Sequence, residues 1–352
     1  MRGIWALPLV VLGAALVLVP LSAVVEIPGE RGVKELFGVE YAPACTPTAR
    51  RVLGPWRAEA PLPTLRDEPR GARVGDGAYL VGGIGFYDPP TTRSVDTVAR
   101  YALPRQRYRA LPPLPARLNH VGVVPYAGDV YVVGGFGERD GRAVATNRAW
   151  RYRVAERRWE SLAPMPTPRG AHGVAVVGRT LYAIGGQDPD RPDRHLDNVE
   201  AYDLGTGRWS TRAPMPTPRD HLGVAAAGGQ IHAVGGRLPG GVALDVFERY
   251  DPATDRWTRG PDYPLATSGI ALASVAGRLV AAGGEGPSEG RVFAETWSYR
   301  PQARSWSREP NMPVAKHGYA MVTRGDRLYV FGGSVCTGFR PTRTAESLRL
   351  TP

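Results

Sequence analysis

Six Gly-Gly doublets stand at almost constant intervals along this chain: Gly82-Gly83, Gly134-Gly135, Gly185-Gly186, Gly235-Gly236, Gly283-Gly284 and Gly332-Gly333. Successive doublets are 52, 51, 50, 48 and 49 residues apart. A period near fifty means that one supersecondary unit is repeated and that neighbouring units share their core. Each doublet closes a short apolar run, such as Val130-Tyr131-Val132-Val133 or Leu181-Tyr182-Ala183-Ile184. Runs this short, rich in β-branched and aromatic residues, read as buried strands. Glycine at the strand end admits backbone angles and close approaches that a Cβ would block.

A second signal follows each doublet. Tyrosine recurs with an aromatic seven residues later: Tyr101 and Tyr108, Tyr152 and Trp159, Tyr202 and Trp209, Tyr250 and Trp257, Tyr299 and Trp306. Turn-forming tracts such as Asp251-Pro252-Ala253-Thr254-Asp255 lie between them, so each pair marks two strands joined by a tight turn. Seven residues beyond the second aromatic stands a proline (Pro115, Pro166, Pro216, Pro264, Pro313), which cannot donate to a sheet and so ends the strand. The sixth repeat lacks the aromatic pair near the C-terminus, where Leu348 takes the tyrosine position. Trp56 and Pro63 supply the missing spacing at the other end. Residues 51–58 are therefore expected to form the fourth strand of the last unit, closing a ring against residues 345–350.

This pattern resembles the kelch family from about Arg51 to the C-terminus. The resemblance implies an all-β, six-bladed β-propeller whose last blade is closed by an N-terminal strand. The sequence then divides into residues 1–25 as a hydrophobic segment, 26–50 as a tether and 51–352 as the propeller. The 44 glycines and 34 prolines, which without a period would suggest disorder, fall at fixed repeat positions and read as turns.

Residues 4–25 carry no charge and follow Arg2. As one helix, 22 residues would reach about 33 Å, enough to span a bilayer. An uncleaved signal-anchor and a cleaved signal peptide both remain open, since Ser22 and Ala23 suit cleavage. Either route places the propeller outside the cytoplasm, anchored to the membrane or secreted. Two cysteines fit that address: Cys45 precedes the closing strand and Cys336 follows the last doublet. A disulfide between them would lock the ring, and chain entropy sets its contribution at up to about 5–6 kcal/mol.

The net charge is +11, and Lys34 and Lys316 are the only lysines. Such a balance suits anionic partners. No nucleic-acid motif is present, and none is expected in an exported chain. In a kelch propeller the links between blades and the loops joining strands two and three share one face; that placement is what the resemblance implies. Here the links carry Arg66, Arg117, Arg169, Arg219 and Lys316, a partial ring of cations suited to carboxylate or phosphate. His120, His172, His221 and His317 fall in the same links. Together these nine residues are the expected ligand-binding set. Phe86, Tyr87, Phe136 and Phe339 in the neighbouring loops could stack on a sugar or peptide.

No histidine pair stands at local metal-ligand spacing, so neither a metal nor another cofactor is expected. The chain also lacks Gly-x-Ser-x-Gly, a zinc-binding helix motif and a phosphate loop. The leading expectation is thus a noncatalytic binding module for a protein or an anionic glycan. The alternative is a sugar-processing enzyme resembling the exported sialic-acid mutarotases, with Asp220, Glu285, His172 or His221 as the acid/base residue, Asp220 beside His221 being the most suggestive couple, and Arg169 or Arg219 on the substrate carboxylate. Copper radical oxidases also use kelch repeats, but they resemble a seven-bladed ring and need a thiol for a cysteine-tyrosine cross-link.

Overall fold

Antiparallel pairing folds each repeat into one four-stranded sheet in this computed structural model. It describes residues 55–87, 91–188, 190–191, 193–286, 291–337 and 340–350, with the side chains of 86, 87, 91 and 92 left aside. Six four-stranded sheets are present among the described residues, with no α-helix. The first strands are Arg70–Val74, Gly122–Tyr126, Gly173–Val177, Gly223–Ala227, Ala271–Val275 and Ala320–Arg324. Each packs against the next, and the last packs against the first. The second strands end in the doublets and are the most buried, as their unbroken apolar runs require. Trp56–Ala58 pairs antiparallel with Ala345–Arg349 and supplies the outer strand of the last sheet, with Trp56 opposite Leu348.

Two cycles of hydrogen bonds tie neighbouring repeats together. In the first, the second glycine of each doublet donates to a link carbonyl of the following repeat: Gly83 to Leu118, Gly135 to Arg169, Gly186 to Arg219, Gly236 to Thr267, Gly284 to Lys316 and Gly333 to Arg66. The last of these returns to the first link. Glycine is required because the backbone here is left-handed and tight. Gly134 has φ +62°, and a Cβ on it would lie 2.6 Å from the Arg169 carbonyl.

The second cycle runs around the outside. Each fourth-strand aromatic donates to a carbonyl of the repeat before it: Tyr108 to Ala60, Trp159 to Pro112, Trp209 to Ala163, Trp257 to Ala213, Trp306 to Pro261 and Trp56 to Pro310. In every complete repeat that aromatic lies directly opposite the third-strand tyrosine, as Tyr152 opposite Trp159 with ring centroids 5.0 Å apart. The seven-residue spacing is thus a cross-strand register. The axis encloses a cavity of about 380 Å³ lined by all six first strands, including Gly71, Gly122, Gly173 and Gly223.

The hydrophobic residues 4–25, the tether 26–50 and Cys45 lie outside the described residues. No helix among the described residues is long and apolar enough to cross a membrane.

Candidate functional site

Three successive residues of each link play three different parts. The first lies at the position of Arg66, Leu118, Arg169, Arg219, Thr267 and Lys316. Arg169, Arg219 and Lys316 are 0% exposed. Each pairs with a glutamate at one equivalent third-strand position: Arg169 with Glu200 at 2.8 Å, Arg219 with Glu248 at 2.5 Å and Lys316 with Glu346 at 2.5 Å. Arg169 also donates to the Gly185 and Asn198 carbonyls. Half-buried Arg66 donates to the Gly82 carbonyl and to Thr64 and Thr97. The expected ring of ligand-binding cations is therefore corrected. At this position the cation turns inward, because the link runs over the sheet and its side chain fills the space beneath. Arg117, one residue earlier than the register, is the exposed one of the five, 4.0 Å from Asp96.

The middle residue is Asp67, Asn119, Gly170, Asp220, Ser268 or His317. Its backbone pairs with the residue after a doublet: Ile84, Phe136, Gln187, Arg237, Glu285 or Ser334. This pairing carries Arg237 and Glu285 to the channel mouth. It also buries Phe136 at 1% exposure, against His120 and under Gly170, so Phe136 is packing and not a ligand platform. Phe339 and the side chains of Phe86 and Tyr87 lie outside the description.

The third residue is Glu68, His120, Ala171, His221, Gly269 or Gly318, and all six are left-handed with φ between 50° and 60°. They form a ring around the axis. Glu68 N–H donates to the Gly318 carbonyl, Gly318 to Gly269, Gly269 to His221, His221 to Ala171 and Ala171 to His120. A non-glycine residue in this conformation costs about 1–2 kcal/mol.

Inside the ring lies a buried, highly charged cluster. His221 Nε2 and His120 Nε2 are 3.0 Å apart, and His120 Nε2 is 3.6 Å from Glu68 Oε1. His221 Nδ1 meets Asp220 Oδ2 at 3.0 Å, and Arg70 meets Glu68 Oε2 at 2.9 Å. Arg237 spans the cluster, donating to Asp220 at 3.1 Å, Glu285 at 3.1 Å and His221 Nε2 at 3.2 Å. His317 bonds the Cys336 carbonyl at 2.7 Å and stands 3.8 Å from Glu285.

Burial drives the His120 imidazole down to about 3, with His221 and nearby guanidinium groups adding to it. Burial works to raise the carboxyls of Glu68 and Asp220. His120 and Arg70 at the first, and His221 and Arg237 at the second, hold both well below their ordinary values. At His317 burial opposes the charge, but Glu285, Asp67 and Glu68 raise its pKa. His172 stands one residue past the ring position, lines the axial cavity and makes no hydrogen bond through either nitrogen. The link histidines are thus separated by environment: His120 and His221 meet, His317 joins the rim through Glu285, and His172 faces the cavity.

Beside the mouth, between repeats 1 and 2, is an exposed groove of about 450 Å³. Arg93, Arg117, Arg139 and Arg148 line it, and all four are exposed. The hairpin Phe136–Arg139 with Arg142–Ala145 forms one of its walls. Glu68, Arg237, Glu285 and this groove lie outside the expected ligand-binding set, Glu285 being expected only as an acid/base residue of the enzyme alternative. Register after each proline and after each doublet would have placed the first three; the groove depends on the packing of two hairpins.

Sheets of this form, joined in sequence and tied by doublet glycines and an outer aromatic belt, define a β-propeller with a polar mouth. The model of the KLHDC2/KLHL20/DRC7 Kelch-repeats domain matches residues 70–269 and 119–333, and the chain belongs to the kelch-repeat family. It is 29% identical over 141 residues to kelch-like protein terF of Aspergillus terreus, covering 38% of this chain and 29% of that protein. Kelch-like protein 41a of Danio rerio is 28% identical over 151 residues, 43% of this chain and 24% of the relative. Alpha-scruin of Limulus polyphemus is 29% identical over 126 residues, 35% of this chain and 13% of the relative. The chain therefore spans less than a third of the length of each of these relatives.

Proposed function

We propose that this chain is a six-bladed kelch propeller, held or released outside the cytoplasm by residues 1–25, that binds a protein partner on its link face. The observation that carries the reading is the groove between repeats 1 and 2, where four exposed arginines outnumber the one lining acid, Glu138, with Asp96 4.0 Å from Arg117 beside it. Guanidinium groups in such a row suit an extended acidic segment, each carboxylate meeting a planar fork. Kelch-repeat proteins generally mediate protein–protein contacts, which supports a protein as the kind of partner. Uncharged residues 4–25 support export. No described cysteine is free, in keeping with a Cys45–Cys336 bond in an oxidising compartment. The mutarotase alternative loses its substrate arginines, because Arg169 and Arg219 are fully buried in ion pairs.

Fluorescence titration of the full chain with a glutamate-rich peptide, and in parallel with a uronic-acid oligosaccharide, tests this. The expected result is peptide binding that weakens tenfold or more in Arg117→Glu/Arg139→Glu and is unchanged in Arg300→Glu. No peptide binding by natively folded protein overturns the reading. Binding of the oligosaccharide alone moves it to a glycan.

A further inference from the structure

Glu68, His120 and His221 occupy one and the same ring position in repeats 1, 2 and 4, and their side chains converge on the axis. We propose that these three residues form a binding site for a divalent transition-metal ion of the zinc type at the mouth of the channel.

The donor atoms fit first by distance. One atom from each residue lies within 4.8 Å of the other two, with His120 Nε2 3.0 Å from His221 Nε2 and 3.6 Å from Glu68 Oε1. Ligands bound tetrahedrally at about 2.0–2.1 Å stand roughly 3.3 Å from one another. Closing the set on an ion therefore takes side-chain shifts of a few tenths of an ångström to about an ångström.

The supporting shell fits as well. His120 Nδ1 meets Asn119 Oδ1 at 2.5 Å, and Asn119 is held in that orientation because its Nδ2 donates to Ser94 Oγ at 2.8 Å. An amide oxygen accepts only, so His120 carries its proton on Nδ1. Arg237 donates to His221 Nε2 at 3.2 Å, which makes that nitrogen an acceptor and leaves the ring's proton on Nδ1, 3.0 Å from the Asp220 carboxylate. With its proton on Nδ1, each ring directs an Nε2 lone pair into the same space, beside a carboxylate. Two lone pairs 3.0 Å apart repel; the Arg237 hydrogen bond to His221 Nε2 offsets this in part, and a metal ion between them would bind both. Carboxylate or amide partners behind inward-facing imidazoles are the usual outer shell of a metal centre. Two imidazoles and one carboxylate suit zinc and its neighbours better than calcium or magnesium.

Space fits third. The other three ring positions hold Ala171, Gly269 and Gly318, and a Cβ on Gly318 would collide with the Glu68 carboxylate. Arg237 is the competitor: its Nη2 donates to His221 Nε2, while its Nε and Nη1 are held by Asp220 and Glu285. A bound ion displaces the first of these hydrogen bonds and leaves the other two. With its side chain 23% exposed, Arg237 has room to move toward solvent.

Calorimetric titration of chelator-treated full chain with Zn2+ tests the site. One ion per chain is expected, with affinity reduced at least tenfold in His120→Ala, His221→Ala and Glu68→Gln and unchanged in His232→Ala. Arg237→Gln is expected to bind at least tenfold more tightly, a gain that a damaged fold would not give. Where a histidine variant fails to fold, the wild-type chain loaded with Cu2+ gives an independent reading, since pulsed electron paramagnetic resonance counts coordinated imidazoles. Two imidazoles support the site. None or one, no stoichiometric zinc binding by the folded chain, or no tightening in Arg237→Gln overturns it.

Discussion

In every link, the residue three after the proline turns under the sheet, whereas the residue two further on faces the axis. The two rows have similar chemistry on paper, cations and histidines within the same tripeptide, and they meet opposite environments. Arg169, Arg219 and Lys316 are matched one for one by Glu200, Glu248 and Glu346. Where the first row is apolar, as at Leu118, the third-strand position holds Trp150 and the two share a core cluster. Each such pair is complete within its own repeat. Glu68, His120 and His221 have no such symmetry: each has a different partner in its own repeat (Arg70, Asn119 and Asp220), and the three meet one another across the ring. A row whose pairs close inside each repeat is architecture, and a row whose members also meet across the axis can build one site from several repeats.

The largest test of this contrast is Arg169→Ala. Removing one member of a fully buried ion pair leaves Glu200 uncompensated and is expected to cost about 3–5 kcal/mol in urea unfolding. The double change Arg169→Met/Glu200→Leu is expected to restore most of that loss, because the pair stabilises chiefly by satisfying itself. A single variant within 1 kcal/mol of wild type would break the distinction between the two rows.

A smaller effect comes from acid. Burial holds His172 down at about 3 and His232 at about 4, against an ordinary value of 6.5. Both stay neutral in the folded chain while the unfolded chain takes up protons. Stability is then complete above pH 6.5 and falls as the pH drops toward those lowered values. Each histidine contributes a slope of at most about 1.4 kcal/mol per pH unit. Denaturant unfolding of His172→Gln between pH 6.5 and 4.5 is expected to show a shallower acid loss than wild type. An identical slope would mean that His172 titrates through water in the cavity.

The smallest effect sharpens the axial row. Ala171 shares the left-handed conformation of its neighbours, with φ 53°, but carries no functional group. Ala171→Gly is expected to gain about 0.5–1 kcal/mol, the relieved strain less the added freedom of the unfolded chain. A loss measured by thermal unfolding would show that this ring position is not strained, and that Glu68, His120 and His221 sit there without conformational cost.

Much of the fold is legible in the residues. The doublets mark the ends of the second strands because only glycine leaves room for the neighbouring link's carbonyl. The seven-residue tyrosine–tryptophan spacing marks two strands because those rings lie opposite each other. Trp56 and Pro63 point to the strand that completes the last sheet, since their spacing matches the other repeats. The site is legible only in part. The links with their arginines and histidines stand out, yet nothing local separates the buried Arg169 from the exposed Arg117, or His172 from His221. One residue of register decides each case, and register is a property of the folded link.

What the sequence by itself determined is the repeat: its period, its strands, its turns and the order in which they pair, because those depend on neighbours along the chain and on backbone sterics. What only the tertiary structure decided is which residues meet at the axis. Glu68, His120 and His221 are separated by 52 and 101 residues, and no spacing rule joins them. They converge because the sheets return to their starting point, which places one ring position from each repeat around a common axis where buried charges lie close enough to pair.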